Sequence, residues 1–279
     1  GYIGHNIYVS LKEEGFNVIG TYFRKKKRDL EFFDICNMSL ESFNLDNKID
    51  YLIISSAVNV NLDETKRNIN NSKYVNVEKI KNVIDYCFNN NIVPIYISTD
   101  GVFDGKKGGY KENDLRNPIN SYGYLKYQVE DYLFNSREKY LILRMGRVFG
   151  TNINDGTIIT DTITKLKDGQ NLKCADDQYF SPLYIKDLCK YVKILIYNKH
   201  FGVFHLTSIK KTSRYLIADA VQKYFNYNEF NVNPCKINSI GLLEKRPLLT
   251  DLDNSKLNNL INVSNFEIEY YLDIVKNNN

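Results

Sequence analysis

The sequence predicts an α/β fold: a Rossmann-type, doubly wound parallel sheet with a smaller C-terminal part beside it. Three observations carry this reading. Segments 17–22 (NVIGTY), 51–55 (YLIIS), 93–98 (VPIYIS) and 140–144 (YLILR) are short, rich in β-branched or aromatic residues and apolar on both faces. That is the composition of strands covered on both sides. Between them, stretches 75–88 and 122–134 repeat apolar residues at intervals of three and four, as amphipathic helices do. Strands alternating with helices imply right-handed crossovers, with ligands bound beyond the carboxyl ends of the strands.

Taken in order, the chain opens on Gly1-Tyr2-Ile3-Gly4 and runs straight into a predicted helix over 5–14, closed by Gly15. Gly1 and Gly4 have the spacing of the last two glycines in a phosphate-binding turn, but no strand precedes them. Such a strand would bury four or five apolar side chains, on the order of 10 kcal/mol, against a whole-domain stability of ~5–15 kcal/mol. The expectation is that the natural protein carries about ten more residues ahead of Gly1, a length set by the missing strand of a βαβ unit. After the second predicted strand come Arg24, Lys25, Lys26, Lys27 and Arg28, with no acidic residue between positions 17 and 28. An acid near this strand end suits the ribose hydroxyl of NAD, and an Arg suits the extra phosphate of NADP. The turn therefore predicts NADP(H), with Arg24 and Lys25 as contacts; a solvated basic turn or a polyanion patch is the alternative.

Composition narrows the class. Lys plus Arg number 37 against 33 Asp plus Glu, a net charge of +4, too even for a dedicated nucleic-acid binder. The five cysteines (Cys36, Cys87, Cys174, Cys189 and Cys235) are odd in number and form no C-x-x-C pair. They predict small core side chains in a reducing cytosol. Three scattered His suggest no metal site. No apolar run reaches the ~18 residues of a membrane span, and no signal peptide opens the chain.

The chemistry concentrates in residues 96–126. A strand ends in Ser98-Thr99, and Tyr122-x-x-x-Lys126 follows at a helix start. Residues four apart share a helix face, so phenol and ammonium can address one site. Lowering a phenol from near 10 to roughly 7 takes about 4 kcal/mol, which a lysine and an oxidised nicotinamide could supply. Such a Tyr exchanges a proton with a carbonyl or alcohol oxygen, and a hydroxyl of Thr99 or Ser98 would hold that oxygen. Alone, Y-x-x-x-K usually marks an ordinary surface helix; the upstream Ser-Thr strand end gives it weight.

Further marks are Ser98 through Gly105 (STDGVFDG), Tyr110-x-Glu112, Asp114, Pro118-x-Asn120-x-Tyr122-Gly123-x-x-Lys126, Leu143-Arg144 with Val148-Phe149-Gly150, Asp177-Gln178 before Pro182, and Arg246-Pro247 ahead of Leu252-Asp253-x-Ser255-Lys256-Leu257. In this order, and over nearly the whole chain, they resemble the extended short-chain dehydrogenase/reductase family, in particular its dTDP-4-dehydrorhamnose reductase branch. The resemblance implies a cofactor domain over 1–150, with 182–208 returning to it, and a substrate domain over 151–181 and 209–279. It implies Thr99, Tyr122 and Lys126 as the catalytic triad, with Lys126 also on the nicotinamide ribose and Gly1 and Gly4 on the pyrophosphate. Asp34 and Ile35 would lie near the adenine, and Ser56, Ala57 and Asn59 beside the cofactor; Asn76-Val77 matches a further mark on the following helix.

Two departures stand out. Gly101 occupies a place where the branch has an aromatic, and Arg147 brings a charge toward the predicted cleft, for a nucleotide phosphate or for a surface carboxylate. Arg147, Arg246 and Lys173 are the candidate substrate phosphate contacts, each weighed against an ordinary surface base. His205 reads as a packed structural residue. The resemblance implies NADPH-dependent reduction of a keto group on a nucleotide-activated deoxysugar for surface polysaccharide, with dTDP-4-dehydro-L-rhamnose the type of substrate. It implies no nucleic-acid or membrane partner and is compatible with a homodimer. A nucleotide-sugar epimerase or dehydratase is an alternative. So is a non-catalytic NADP-binding subunit, because the likeness extends to the regulatory beta subunit of methionine adenosyltransferase.

Overall fold

The computed structural model describes residues 1–24, 26–43, 49–58, 61–227, 229 and 231–278. Lys25 and Asn59, both expected at the cofactor, lie outside the described residues. Helix α1 (Tyr2–Glu13) turns Ile7 and Leu11, four residues apart, into the core. The chain leaves it through Gly15 at φ +82°, a conformation that costs little without a Cβ.

The segment expected as a buried strand over 17–22 is a correction. Only β1 (Thr21–Tyr22) is extended and paired, in parallel with β2 (Glu31–Phe32), and these two form a sheet of their own. Ile19 is 40% exposed and the segment alternates between exposed and half-buried residues. A strand apolar on both faces needs cover on both faces, and β1 has a strand partner on one side only among the described residues.

The remaining elements follow the expected alternation. They are β3 (Tyr51–Ile54), α2 (Leu62–Arg67), α3 (Ile69–Lys73), a wide π turn over Tyr74–Lys79, α4 (Ile80–Asn89), β4 (Val93–Thr99), α5 (Ser121–Asn135) and β5 (Leu141–Met145). The helix read as 75–88 is thus the end of a longer helical run. Then come β6 (Val148–Phe149), α6 (Ile158–Lys167), β7 (Leu172–Ala175), β8 (Tyr179–Phe180), β9 (Leu183–Tyr184), α7 (Ile185–Tyr197) and β10 (Gly202–Leu206). The chain finishes with β11 (Thr212–Ser213), α8 (Arg214–Phe225), β12 (Val232–Cys235), α9 (Ser255–Asn258) and α10 (Ile268–Asn277).

The main sheet has the order β10-β5-β4-β3, all parallel, so its carboxyl ends share one edge. Alternation along β4 sends Ile95 and Ile97 to one face and Tyr96 to the other. Ile95 and Ile97 pack under α1 and α7, against Leu11, Leu188 and Val192. On the opposite face Tyr96 meets α4 and α5 through Ile84, Leu125 and Val129. A second core gathers α6, α8 and α10 around Ile163, Val221 and Leu272. Of the cysteines expected inside, Cys87, Cys174 and Cys189 are buried, whereas Cys36 and Cys235 are half-exposed. Among the described residues no helix is long and apolar enough to cross a membrane.

Candidate active site

The carboxyl end of β4 leads into a single 3-10 turn (Asp100–Val102), and the first turn of α5 is pressed against it. Asn120 caps α5, its Oδ1 accepting from the Gly123 N–H at 2.9 Å. Gly123 makes the approach possible, because a Cβ there would run into the Gly101 carbonyl. Gly101 itself is not required by packing, since an added Cβ would meet only ordinary contacts, the nearest at 3.5 Å. The place where the resemblance expects an aromatic therefore accepts a Cβ without a clash. The close approach sets Tyr122 beside Thr99 and Asp100.

Thr99 donates from Oγ1 to Asp100 Oδ1 at 3.0 Å and accepts from the Gly101 N–H at 3.1 Å. Asp100 also takes a hydrogen bond from Thr250, and the positive charge of Arg147 reaches it. Burial nonetheless dominates and raises its pKa above the usual carboxylate range. Lys126, one helical turn past Tyr122, is 5% exposed and donates to the Ile97 carbonyl at 2.9 Å. Its ammonium lies 4.7 Å from the Tyr96 ring centre and 5.9 Å from that of Tyr122. Burial pushes Lys126 down to about 8, partly offset by Glu130.

Tyr122 departs from the expectation of a lowered pKa. Burial and the Asp100 carboxylate push it up to about 12, and its hydroxyl stays protonated at neutral pH. The lysine expected to lower it directs its proton to a backbone carbonyl, and its own charge is weakened by burial.

Behind this turn lies a buried polar network. Glu130 of α5 accepts from Ser98 Oγ and, through both oxygens, from Arg144 of β5, with Arg144 Nη2 to Oε2 at 2.8 Å. Arg144 also donates to the Glu112 carbonyl at 3.0 Å and touches His205 Nε2 at 3.3 Å. His205 is fully buried, with Nδ1 3.0 Å from the Asp253 carbonyl, and burial beside Arg144 pushes it down to about 3. It is a packed, neutral residue, as its strand-like surroundings predict. Ser98, weighed as an alternative to Thr99, spends its hydroxyl on Glu130.

Of the residues expected at the cofactor, Gly4 abuts the residue after β3 and Ile35 packs on the main sheet. Gly1 caps α1 with open space around it, and at Gly4 a Cβ would strike the Ser55 side chain at the end of β3. The helix start is thus packed tightly on one side and open on the other, with its first N–H groups outside the helical ladder. That shape fits a dinucleotide pyrophosphate. Ser56 is exposed and Ala57 half-buried just beyond β3. The loop there is held by Asn76, which accepts from the Val58 N–H and donates to the Val58 carbonyl, each at 2.8 Å. Asp34 accepts from the Cys36 N–H at 2.9 Å and from Asn37 at 2.8 Å; these bonds lower its pKa, while Ile35 packs on the α4 side of the sheet. Arg24 is exposed, and no acidic residue lies between positions 17 and 28. The described residues fit a phosphorylated dinucleotide.

The arginines are arranged around β8. Arg147 is exposed at the cleft, its guanidinium 5.4 Å from the centre of Phe180. Arg246 donates to Asp63 of α2 at 3.0 Å and keeps its other terminal nitrogen, Nη1, buried without a partner. Arg214, at the start of α8, was not anticipated from sequence; its only signal there was a Thr-Ser pair of helix-capping type just ahead of it. Lys173 stands on β7, exposed. Asp100 was also missed as a separate participant, although it stands inside the S-T-D run.

The chain matches the family described as RmlD substrate binding domain over residues 1–275. It is 27% identical over 241 residues to dTDP-4-dehydrorhamnose reductase of Aggregatibacter actinomycetemcomitans, covering 82% of this chain and 81% of that protein. It is 22% identical over 267 residues to methionine adenosyltransferase 2 subunit beta of Xenopus tropicalis, covering 92% and 79%. Among solved structures, dTDP-4-dehydrorhamnose reductase from Bacillus anthracis in complex with NADP superposes with a TM-score of 0.80 at 22% identity, covering 99% of this chain and 97% of the other. With the parallel sheet, the Thr99–Tyr122–Lys126 cluster and a match along nearly its whole length, the chain belongs to the RmlD substrate binding domain family.

Proposed function

We propose that this protein is an NADPH-dependent oxidoreductase that reduces a keto group on a nucleotide-activated deoxysugar, of the dTDP-4-dehydrorhamnose type used for surface polysaccharide. The observation that carries the reading is the convergence of Thr99, Tyr122 and Lys126 at the carboxyl edge of the parallel sheet. Support also comes from the reductase relative and from the NADP bound by a protein of the same fold. In this reading residues 1–150 and 182–208 hold the cofactor, and 151–181 and 209–279 hold the substrate, with Arg147 and Arg246 among the substrate contacts.

Bound NADPH would supply the hydride that reaches the carbonyl carbon. Tyr122, kept protonated by its raised pKa, donates its proton to the carbonyl oxygen. Thr99 turns its hydroxyl proton from Asp100 to the same oxygen and fixes it in line. Lys126, beneath the phenol, stabilises the negative charge that Tyr122 acquires as its proton leaves. Gly1, Gly4 and the loop pinned by Asn76 border the dinucleotide, and Arg24 meets its extra phosphate.

The test follows NADPH and NADH absorbance with a panel of nucleotide keto-sugars. NADPH oxidation is expected, with Tyr122→Phe slower by roughly 10²–10⁴-fold. Undiminished activity in Tyr122→Phe would exclude the mechanism, and a preference for NADH would overturn the role of Arg24. The similarity to the methionine adenosyltransferase beta subunit favours a second reading, a non-catalytic binding subunit. Absence of turnover with every keto-sugar, alongside specific co-purification with a synthetase, would select it.

A further inference from the structure

Among the described residues Lys126 has one hydrogen-bond partner, the Ile97 carbonyl at 2.9 Å, fewer than the N–H groups of an ammonium can use. What surrounds the rest of its charge is aromatic. Tyr96 of β4 sets its ring centre 4.7 Å from Nζ, nearer than the 5.9 Å of Tyr122. Tyr96 is 1% exposed and stands in the middle of the sheet, between Ile54 of β3 and Ile142 of β5. Ile84, Leu125 and Val129 cover it from α4 and α5. The ring is thus held in place by its neighbours, while its hydroxyl is buried without a partner. Burial, with Tyr122 and Glu130 nearby, pushes the Tyr96 phenol well above its ordinary range, so it stays neutral. Tyr96 offers Lys126 a ring face and no negative charge.

We propose that Tyr96 is a positioning residue: its ring face holds the Lys126 ammonium, charged, against the Tyr122 phenol. The proposal rests on the reductase reading above and adds what keeps that lysine a cation. The negative face of an aromatic ring attracts an ammonium within about 6 Å of its centre, more strongly where water is excluded. The other groups around Lys126 do less. Glu130, on the same helix, is the carboxylate whose charge reaches it. Both Glu130 oxygens are already engaged by Arg144 of β5, with Ser98 of β4 and Arg116 adding to the same carboxylate. Asp100, in the turn beyond β4, acts on Tyr122 and is itself pushed toward its neutral form by burial. Tyr122 is neutral until its proton leaves. Burial meanwhile drives Lys126 toward the uncharged amine. The Tyr96 face opposes that drive. Without it the ammonium would lose its proton at lower pH, and with the proton goes the charge that stabilises Tyr122 as a phenolate.

The test is a heteronuclear NMR titration of the Lys126 side chain, its signal assigned by its loss in Lys126→Met, beside the pH profile of NADPH oxidation. Wild type is compared with Tyr96→Phe, Tyr96→Met and pentafluorophenylalanine in place of Tyr96. Phe keeps the ring face and removes only the unpartnered hydroxyl. Met removes the ring, and pentafluorophenylalanine keeps the shape of the ring while reversing the charge of its face. In the last two proteins Lys126 should lose its proton about one pH unit lower, tenfold in proton affinity, whereas in Tyr96→Phe its midpoint should match the wild type. The alkaline fall of the reductive rate should move by the same amount. Thermal unfolding checks each fold, and the fluorinated ring, which keeps the side-chain volume, decides alone should Tyr96→Met not fold. An unmoved Lys126 midpoint in the folded variants, or an equal shift in Tyr96→Phe, overturns the proposal. So does a rate profile that stays in place while the midpoint moves. If the midpoint moves and no keto-sugar consumes NADPH, the reductase reading falls and the contact of ring and ammonium stands. Turnover with an unmoved midpoint removes the proposal alone.

Discussion

Lys126 works against its own charge. Its ammonium is enclosed by β4 and two aromatic rings, with one carbonyl as a hydrogen-bond partner, and its pKa falls from 10.5 to about 8. Between these two values the unfolded chain binds the proton and the folded chain does not, so stability rises with pH across that window. Below about 8 both states are charged, and the folded state bears the full burial cost. Lys126→Met is therefore expected to raise stability at pH 7 by about 1–3 kcal/mol while removing turnover. Melting temperatures at pH 7 and pH 10 check this, and the difference should shrink at the higher pH. The wild-type reductive rate should fall as pH passes about 8, where Lys126 loses its charge, well before Tyr122 ionises near 12. A rate flat to pH 10 would contradict the role given to the ammonium. Tyr122 and Lys126 were legible in sequence because helical spacing puts them on one face and a Ser-Thr strand end stands upstream. Asp100 and the raised phenol were not, because both depend on enclosure by segments distant in sequence.

At the scale of elements, α5 is fastened to the sheet by polar contacts as well as by its apolar face. Glu130 and Arg144 are both fully buried, with Ser98 completing the contact. Removing one partner strands the other charge in the core, so Glu130→Ala is expected to cost about 3–5 kcal/mol. Asp131→Ala, one residue along and half-exposed in its pair with Arg116, should cost less than about 1 kcal/mol. Urea denaturation of both variants makes the comparison, and similar losses would show that the buried pair holds nothing special. Helix α5 was readable over 122–134 because apolar residues recur there at three and four, whereas its cap at Asn120 shows only in the structure. Segment 17–22 misled because an apolar run records the tendency to be buried but not the number of neighbours available to bury it.

Across the whole molecule, two of the apolar cores differ in how their contacts are spread along the chain. One belongs to the parallel sheet with α1 and α7, the other to α6, α8 and α10. The order of strands and helices in the first was plain in the sequence from β3 onward, since each strand there is a short, mostly apolar run set between helical stretches. The second was not, because its contacts join residues as far apart as Phe149 and Val275. The same distance in sequence hid Arg214, which acquires its neighbours only when β11 pairs with β8.

One contact described at the edge of the cleft reaches further. Asp63 of α2 accepts from the N–H groups of Leu243 and Glu244 and from Arg246. Glu244 in turn takes the Ser121 N–H at 2.6 Å, immediately before Tyr122. The segment that carries Arg246 is thus tethered to the peptide unit preceding Tyr122. Grip at one end would steady chemistry at the other, and a keto-sugar stripped of its nucleotide is expected to lose kcat as well as apparent affinity. Equal kcat for the bare and the nucleotide-linked sugar would show that the tether transmits nothing.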